Sequence, residues 1–459
     1  MRLFDWRWLV VSSLLFVALA ADAEVRPQYG GTLHVTMRAA PPSLDPAAAE
    51  RENGSQPDSF SRRSLTMLIY DTLVATDENG RIQSSLAVSW QSSPANQGWQ
   101  FRLRRGVRFH DGTPLTAEIA AASLRAANPS WNVSADSDSV VIQSESSNLM
   151  ADLALPRNAI VKRNPDKPSG TGPFHIVDWQ PGKKLILAAE EGCWRGRPFL
   201  DGIEIEMGRS FRDQTIALEL GKADLVEVAP EQSHRAALEG RHLANSAPVE
   251  LLALLFTRDA ASQQDRTLRD ALAWSVERGS IRSVLLQGVG QPAGGILPNW
   301  ISGYGFVFSA DADLPKARRA REQIRTIPTM TLGYDGSDTV ARLIAERLAL
   351  NAKDAGLALQ PTSATAADLR VARIPLASAD PWLALAGVAA IAGLASPKAK
   401  DGSVEDLYAN EQALLASQRI VPLFHLPVSY AAGATLKNWT LRPDGRLSLA
   451  DAWMGSGKP

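Results

Sequence analysis

The sequence predicts a mixed α/β protein built from two or three domains. The chain has 459 residues, and a domain usually contains roughly 100–200 residues. Hydrophobic residues make up 45% of the chain and charged residues 21%, which is the composition of an ordinary folded protein. Segments with alternating apolar residues are interleaved with segments of helical periodicity along the whole length. This interleaving indicates strands and helices in one architecture.

Three segments show the alternation of apolar and polar residues that predicts strands with one buried face. Their apolar positions are Leu33, Val35 and Met37 in the first, Trp99, Phe101 and Leu103 in the second, and Ile203, Ile205 and Met207 in the third. A further, mostly apolar strand is predicted over 420–426.

The helix predictions rest on apolar residues at helical spacing together with residues that favour helix ends. Thr116 is predicted to cap a helix that continues to about Ala127, with Glu118 in the first turn, where the helix dipole favours a negative charge. The Ala-rich stretch 384–395 is either a helix or another kind of buried segment. Further helices are predicted over 267–286, 338–356 and 403–417.

The N-terminus predicts export. Arg2 and Arg7 precede a largely apolar run over 8–20. This run is too short to span a bilayer comfortably and long enough for the core of a signal peptide. Small residues follow, so cleavage is expected after Ala20 or after Ala23; an uncleaved membrane anchor is the alternative. No cysteine lies near the end of this run, so lipid attachment is not expected. The predicted product is a soluble exported protein.

Charge and cysteine content exclude several classes of partner and site. The 48 basic and 49 acidic residues give a net charge of −1, which leaves no overall field to attract nucleic acid or anionic lipid. The single cysteine, Cys193, cannot close an intramolecular disulfide or supply a thiolate zinc site. We expect Cys193 to be a small buried side chain, and any partner to be recognised at a local site.

The sequence also lacks the motifs that carry common enzyme chemistry. Signatures of zinc proteases, serine hydrolases, phosphate-binding loops and calcium loops are absent. The six histidines are scattered, and none is paired at the spacing of metal ligands. The glycine cluster over 288–295 contains a proline and follows a predicted helix rather than a strand, so we interpret it as a loop. The sequence therefore predicts no catalytic residues, no metal and no cofactor.

Several blocks occur together in an order that is typical of one protein family. The most specific block covers 99–118 and reads WQFRLRRGVRFHDGTPLTAE, in which Asp111-Gly112 predicts a turn between the strand and the helix. The other blocks cover 30–35, 43–46, 70–73, 86–90, 170–174, 194–201, 268–272, 276–278 and 421–423. Together they resemble the bacterial extracellular solute-binding proteins of family 5, which include the periplasmic dipeptide, oligopeptide and nickel binders of ABC importers. The resemblance covers almost the whole chain after the signal segment.

The resemblance implies the two-lobed periplasmic-binding-protein fold, with an extra, third α+β domain and a hinged cleft between the lobes. Because the chain is shorter than most members of the family and 128–169 looks trimmed, we expect the extra domain to be reduced. The implied division is a signal peptide over 1–23, lobe I over 24–60, 170–248 and 432–459, the extra domain over 61–169, and lobe II over 249–431.

One departure from the family pattern concerns the ligand. Peptide binders of the family carry an Ala-Asp-Tyr-x-Asp-Pro-like stretch whose first acid pairs with the ligand's α-ammonium group. Here 375–382 reads PLASADPW, so Ala377 stands at the position of that acid and Asp380 matches the second acidic position. A buried cation needs a carboxylate partner. Either Asp380 takes over this role, or the ligand is not an ordinary peptide.

The resemblance also places three aromatic residues near the cleft. Trp300 and Tyr304 lie in the Gly-rich loop 288–305, and Trp382 follows the acidic position. Flat aromatic rings there are candidates for stacking on a ligand, with core packing as the alternative. Ser43, in the block that follows the first strand, completes the set of candidate ligand-binding residues.

The resulting hypothesis is a monomeric periplasmic protein that captures a small solute, a peptide or a peptide-like molecule, and delivers it to the permease of an ABC importer in the inner membrane. A sensor or accessory protein of the same fold remains an alternative, because both functions need only a cleft that closes. A third alternative is a periplasmic hydrolase, which would turn over peptide or ester substrates.

Overall fold

The computed structural model describes most of the chain. The described segments are 26–47, 60–77, 79–93, 98–144, 148–164, 167–238, 241–305, 307–376 and 378–455. The predicted signal peptide and Ala377 lie outside them. Among the described helices, none combines the length and the apolar character needed to cross a membrane.

Strands and helices alternate along the described chain, as the interleaved sequence patterns predict. The strands are β1 (Thr32–Thr36), β2 (Val74–Thr76), β3 (Ile82–Ser84), β4 (Ala87–Ser93), β5 (Gly98–Leu103), β6 (Asn132–Asp136), β7 (Ser139–Gln143), β8 (Phe174–Gln180), β9 (Lys184–Ala189), β10 (Gly202–Glu206), β11 (Leu225–Val228), β12 (His242–Phe256), β13 (Gln291–Pro292), β14 (Thr329–Gly333), β15 (Ala358–Thr362), β16 (Leu369–Pro375), β17 (Ile420–Ala432), β18 (Leu436–Lys437), β19 (Thr440–Leu441), β20 (Leu447–Ser448) and β21 (Trp453–Met454). The helices are α1 (Phe60–Ile69), α2 (Ala117–Ala127), α3 (Leu149–Leu153), α4 (Phe211–Glu219), α5 (Ser233–Leu238), α6 (Gln263–Ser275), α7 (Arg278–Ser280), α8 (Asn299–Ser302), α9 (Leu314–Glu322), α10 (Thr339–Asp354), α11 (Pro381–Ile391) and α12 (Val404–Ala416).

One large mixed sheet organises the molecule. Its strand order is β15-β14-β16-β12-β17-β11-β1-β10-β9-β8, and the short β13 also pairs with β17. The two longest described strands, β12 and β17, contain 15 and 13 residues and lie antiparallel at the centre. We call β1, β8–β11 and the elements packed on these strands the β1 half. We call β14–β16 and the elements packed on those strands the β16 half. The chain thus joins the two halves through two adjacent strands.

The ladder between these two strands is irregular where the halves meet. The register of β12 shifts on both sides of Pro248, which lies opposite Pro427 of β17. Proline has no N–H to donate, so two opposed prolines interrupt the ladder. On one side of this break β17 pairs with β11 of the β1 half, and on the other side β12 pairs with β16.

Each half builds its own hydrophobic core on the shared sheet. In the β1 half, Leu33 of β1 and its parallel partner Ile203 of β10 are fully buried in one cluster. In the β16 half, successive residues of β12 point to opposite faces, as the pleat requires. Leu252 and Leu254 belong to a different cluster from Leu251. The β16 half is therefore covered on both faces.

A separate antiparallel sheet of order β4-β5-β7-β6 packs against α2. Phe101 of β5 and Leu124 of α2 are completely buried in its core. Gly112 makes the predicted turn with a φ of 79°, and the Thr116 hydroxyl accepts a hydrogen bond from Ile119 N at 3.3 Å. The strand, turn and helix predicted for the block over 99–118 are confirmed.

One helix prediction is wrong in its bounds. The helix predicted over 267–286 begins at Gln263, because the Ser262 hydroxyl accepts from Asp265 N at 3.2 Å, and it ends at Ser275. Val276 is extended, with φ −74° and ψ 108°, so the chain restarts as the short α7 and one π-helical turn. The Ala-rich stretch, which the sequence left open, forms most of the helix α11.

Candidate ligand-binding site

A large cavity lies between the two halves of the sheet. Its volume is about 830 Å³. Residues of the β1 half that line it include Arg38, Ala39, Ala40, Arg209, Ser210, Phe211, Glu227 and Tyr430. Residues of the β16 half that line it include Glu250, Asp335, Asp338, Ala341, Arg373 and Pro375. Pro427, opposite Pro248 in the central ladder, also faces this cavity, so the cavity lies beside the irregular part of the sheet.

The wall from the β1 half carries an arginine just beyond the end of β1. The guanidinium carbon of Arg38 lies 4.5 Å from the centre of the Phe211 ring, at the start of α4. Its backbone N–H donates to Glu227 Oε2 of β11 at 2.6 Å, and the same oxygen accepts from Gln214 Nε2 at 3.1 Å. These contacts fix both the backbone and the plane of the arginine.

The facing wall from the β16 half carries a largely buried ion-pair cluster. Arg373 Nε lies 3.1 Å from Asp338 Oδ2, and Arg373 Nη1 lies 3.6 Å from Glu250 Oε1. Burial alone would lower the pKa of Arg373, but the surrounding carboxylates raise it above its ordinary value. Asp338 also caps α10 by accepting from Val340 N and Ala341 N, each at 3.0 Å. Its two oxygens are thus already bonded within the β16 half.

A third carboxylate reaches this cluster from the β1 half. Glu231 follows β11, and its charge interacts with those of Arg373 and Asp338. Its Oε2 is buried and has no hydrogen-bond partner among the described residues. Burial raises the pKa of Glu231. The carboxyl group is therefore more easily protonated than an exposed glutamate.

The predicted residue Asp380 acts as a helix cap in the structure. Its Oδ1 accepts from Leu383 N at 3.0 Å, in the first turn of α11. Its Oδ2 accepts from Asn148 Nδ2 at 2.6 Å, so it also joins the β16 half to the domain that contains α3. Asp380 does not line the large cavity, although Pro375, five positions earlier, does. Its predicted role as a ligand carboxylate stays a prediction.

Two of the three predicted aromatic residues, Tyr304 and Trp382, lie on one face of the β16 half. Tyr304 and Trp382 pack against the cluster that contains Leu251, and the Tyr304 hydroxyl donates to Glu411. Burial and the Glu411 carboxylate raise the pKa of Tyr304. Trp300 is 39% exposed, and its indole N–H donates to Pro248 O at 2.7 Å. None of the three lines the large cavity, and their role in stacking stays a prediction.

Ser43 lines a second cavity, of about 510 Å³, which adjoins the first at Pro42. The Ser43 hydroxyl accepts from Asp45 N at 3.1 Å. Asp45 in turn pairs with Arg163 through two contacts, at 2.7 and 2.9 Å. The second cavity therefore already contains a paired carboxylate and guanidinium.

Sequence reasoning missed the residues that line the large cavity, Arg38, Phe211, Asp338 and Arg373 among them. The sequence contains one indication for Arg38, because this residue directly follows the predicted first strand and lies between the family blocks over 30–35 and 43–46. No local pattern connects it with Phe211 or Arg373, which are far away along the chain. As for metals, no three histidine, cysteine or carboxylate side chains within the described segments are grouped so that they could hold an ion. Cys193 is buried, as predicted.

Comparison with proteins of known sequence gives distant but consistent relatives. NikA, a nickel-binding protein of Staphylococcus aureus, is 25% identical over 241 residues, which cover 49% of each chain. DdpA of Escherichia coli K12, a probable D,D-dipeptide-binding periplasmic protein, is 22% identical over 335 residues, which cover 65% of this chain and 63% of DdpA. The alignments thus span about half to under two thirds of these relatives.

Comparison with solved structures covers nearly the whole chain and shows the fold. NikA of S. aureus, solved with Ni(L-His)2, matches with a TM-score of 0.79 and 18% identity over 92% of this chain and 99% of NikA. AppA of Bacillus subtilis, solved with a nonapeptide, matches with a TM-score of 0.78 and 18% identity over 94% of this chain and 100% of AppA. The predicted binding-protein fold is confirmed.

The sequence profile of one family matches well over half of the chain. The profile describes bacterial extracellular solute-binding proteins, family 5 Middle, and it matches residues 81–380. These residues include the strand-turn-helix block, the ion-pair cluster around Arg373 and the acidic position at Asp380. The chain therefore belongs to family 5 of the bacterial extracellular solute-binding proteins.

Proposed function

We propose that this protein captures a small solute in the cavity between the two halves and delivers it to the permease of an ABC importer. The observation that carries the proposal is the cavity itself, because both halves of the sheet contribute to its lining. Its volume of about 830 Å³ falls in the range of small-molecule sites, roughly 300–1,000 Å³. Family membership supports solute binding as the activity.

The proposed domain division assigns lobe I to 24–60, 170–248 and 432–459, the extra domain to 61–169 and lobe II to 249–431. The β1 half corresponds to lobe I and the β16 half to lobe II. The break in the central ladder at Pro248 supports a hinge at this boundary, because fewer backbone hydrogen bonds oppose bending there. Closure about this hinge would present a liganded shape to the permease.

The proposed ligand is a peptide or a peptide-like solute. Relatives and structural neighbours support this class, since they include a probable D,D-dipeptide-binding protein and an oligopeptide-binding protein crystallised with a nonapeptide. Nickel-binding relatives widen the class to small complexes of amino acids, because one neighbour was crystallised with Ni(L-His)2. We further propose that the protein is an exported, periplasmic monomer.

Native mass spectrometry of the protein purified from the periplasm tests this proposal. We expect a mass excess that disappears on denaturation and corresponds to a small solute at a ratio of one. Protein that is denatured, washed and refolded serves as the matched control and should regain the same solute from a periplasmic extract. If neither preparation binds a solute, or if a bound peptide is hydrolysed on incubation, the proposed function is wrong.

A further inference from the structure

The guanidinium of Arg38 faces the cavity without a hydrogen-bond partner among the described residues. Its nearest carboxylate oxygen is Asp335 Oδ2, at 3.8 Å, which is beyond hydrogen-bond distance. Its other contact is the face of Phe211, which leaves the edge of the guanidinium free to donate. An arginine side chain has five N–H donors. Their hydrogen-bonding capacity is therefore available at the surface of the cavity.

Two of the neighbouring acidic side chains, Asp338 and Glu227, are in contrast already hydrogen-bonded within the protein. Asp338 bonds to Arg373 and to the first turn of α10, and Glu250 lies 3.6 Å from the same arginine. Glu227 accepts from the backbone of Arg38 and from Gln214. Beside these two carboxylates, the free N–H donors of Arg38 favour a ligand group that accepts hydrogen bonds.

Asp335 lines the cavity and is only weakly attached to Arg38. It follows β14 and belongs to the β16 half, and its side chain is 59% exposed. Its Oδ1 accepts from Ser337 N at 2.9 Å, which leaves Oδ2 directed toward Arg38. An exposed ion pair of this length contributes little, about 0–1 kcal/mol. A ligand carboxylate could replace Asp335 at Arg38 at small cost.

We propose that Arg38 anchors a carboxylate group of the solute, in competition with Asp335. The inference rests on the proposed function, because it assigns the chemistry of one end of the same cavity. A guanidinium stacked on an aromatic ring offers two parallel N–H groups to a planar carboxylate, a geometry that lysine cannot reproduce. The solute is therefore an organic acid, such as a peptide with a free C-terminus or an amino acid.

Two substitutions with opposite expected effects test this proposal. Arg38→Gln should weaken the binding of carboxylate-bearing probes by roughly tenfold or more. Asp335→Asn should strengthen it by a few-fold, because the competing charge is removed. If Arg38 and Asp335 instead served only as a bond between the two halves, both changes would shift binding in the same direction. Arg258→Gln is the matched control, since Arg258 pairs with Asp368 at 3.5 Å and does not line the cavity.

The probes are dialanine, trialanine and L-histidine, each compared with its C-terminal amide by calorimetric titration. We expect the acids to bind the wild type and the amides to bind much more weakly. We expect Arg38→Gln to remove the difference between an acid and its amide. Equal binding of acid and amide by the wild type would overturn the proposal. Folding of each variant is checked by its melting temperature.

The solute retained from the periplasm separates failure of this inference from failure of the proposed function. If a retained solute carries no carboxylate or other anionic group, the inference is wrong and solute binding stands. If a retained solute carries a carboxylate and none of the probes binds, the affinity for that solute is compared between wild type and Arg38→Gln. Weaker binding by Arg38→Gln supports the inference, and equal binding overturns it. If no solute is retained and no probe binds, both the inference and the proposed function fail.

Discussion

Asp338 and Arg373 form a buried ion pair in the wall of the cavity, with 3.1 Å between Oδ2 and Nε. Their side chains are 6% and 16% exposed. The other oxygen of Asp338 caps α10, so a single residue fixes both the start of a helix and the direction of a cavity-lining cation. The position of Arg373 in this wall therefore depends on its ion pair with Asp338.

Removing Asp338 should destabilise the protein. Asp338→Ala leaves the buried Arg373 with Glu250 at 3.6 Å and removes the cap of α10, so we expect a loss of about 3 kcal/mol in the free energy of unfolding. The Asp338→Asn side chain can still cap the helix, so we expect a smaller loss in the free energy of unfolding for this variant. Urea denaturation measures both. Asp335→Asn is the control and should stay within about 0.5 kcal/mol of wild type, because Asp335 is exposed. A wild-type midpoint for Asp338→Ala would show that the pair does not stabilise the fold.

Gly170 should not tolerate any side chain. A Cβ atom at this position would lie 1.9 Å from Ile69 O and 2.6 Å from the Tyr70 ring. We expect Gly170→Ala to cost about 2 kcal/mol or more, since the segment cannot move without disturbing the end of α1. The control is Gly279→Ala, where no atom beyond the neighbouring residues and the backbone of its own helix lies within 4 Å of the new Cβ. We expect a large decrease in melting temperature for Gly170→Ala and none for Gly279→Ala. Equal melting temperatures for the two variants would refute the close approach at Gly170.

His425 should make stability depend on pH in mildly acidic solution. Its ring is buried, with Nε2 3.1 Å from Ile296 O, and burial lowers the pKa of His425 to about 4. The unfolded ring has a pKa of about 6.5. Between these values the unfolded state binds more protons, so stability rises with pH and is lost as pH falls from about 6.5 toward 4. The largest possible loss is about 3 kcal/mol, at about 1.4 kcal/mol per pKa unit.

The His425→Gln variant tests the origin of this dependence. We expect the free energies of unfolding at about pH 7.5 and about pH 5 to differ less in this variant than in wild type. His34→Gln is the control, because His34 is exposed and should leave the dependence unchanged. An unaltered pH dependence in His425→Gln would assign the effect to other groups.

Trp300 offers a test of ligand stacking against support of the hinge. Its indole N–H donates to Pro248 O, at the break in the central ladder. We expect Trp300→Phe and Trp300→Ala to weaken retention of the periplasmic solute by similar factors, because both remove this hydrogen bond. Native mass spectrometry compares the two variants. If Trp300→Phe retains the solute and Trp300→Ala loses it, the result would instead favour a ring that stacks on the solute, as the sequence predicts for Trp300.

The fold was predictable wherever the determinants are local. The block over 99–118 contains an alternating strand, a glycine turn and a capping threonine, and each acts within a few residues of its own position. The helix over 267–286 was predicted with wrong bounds because the apolar spacing continues through Val276, where the backbone becomes extended. The family resemblance supplied the two-lobed architecture, which the periodicity alone does not determine.

The cavity was much less predictable than the fold. Arg38 follows β1, Phe211 begins α4 and Arg373 lies on β16, and only the strand order of the large sheet brings them to one space. The family pattern instead predicts Asp380 and the nearby aromatic residues as ligand-binding candidates. In the structure Asp380 caps α11 and bonds to Asn148, a role that depends on a contact over 232 positions.

A crystal structure of the wild-type protein, purified from the periplasm without refolding, tests the central claim most directly. We predict a small solute in the cavity between the two halves, in contact with residues of both, with an anionic group at Arg38. A solute bound elsewhere, for example in the second cavity beside Ser43, would contradict the proposed site.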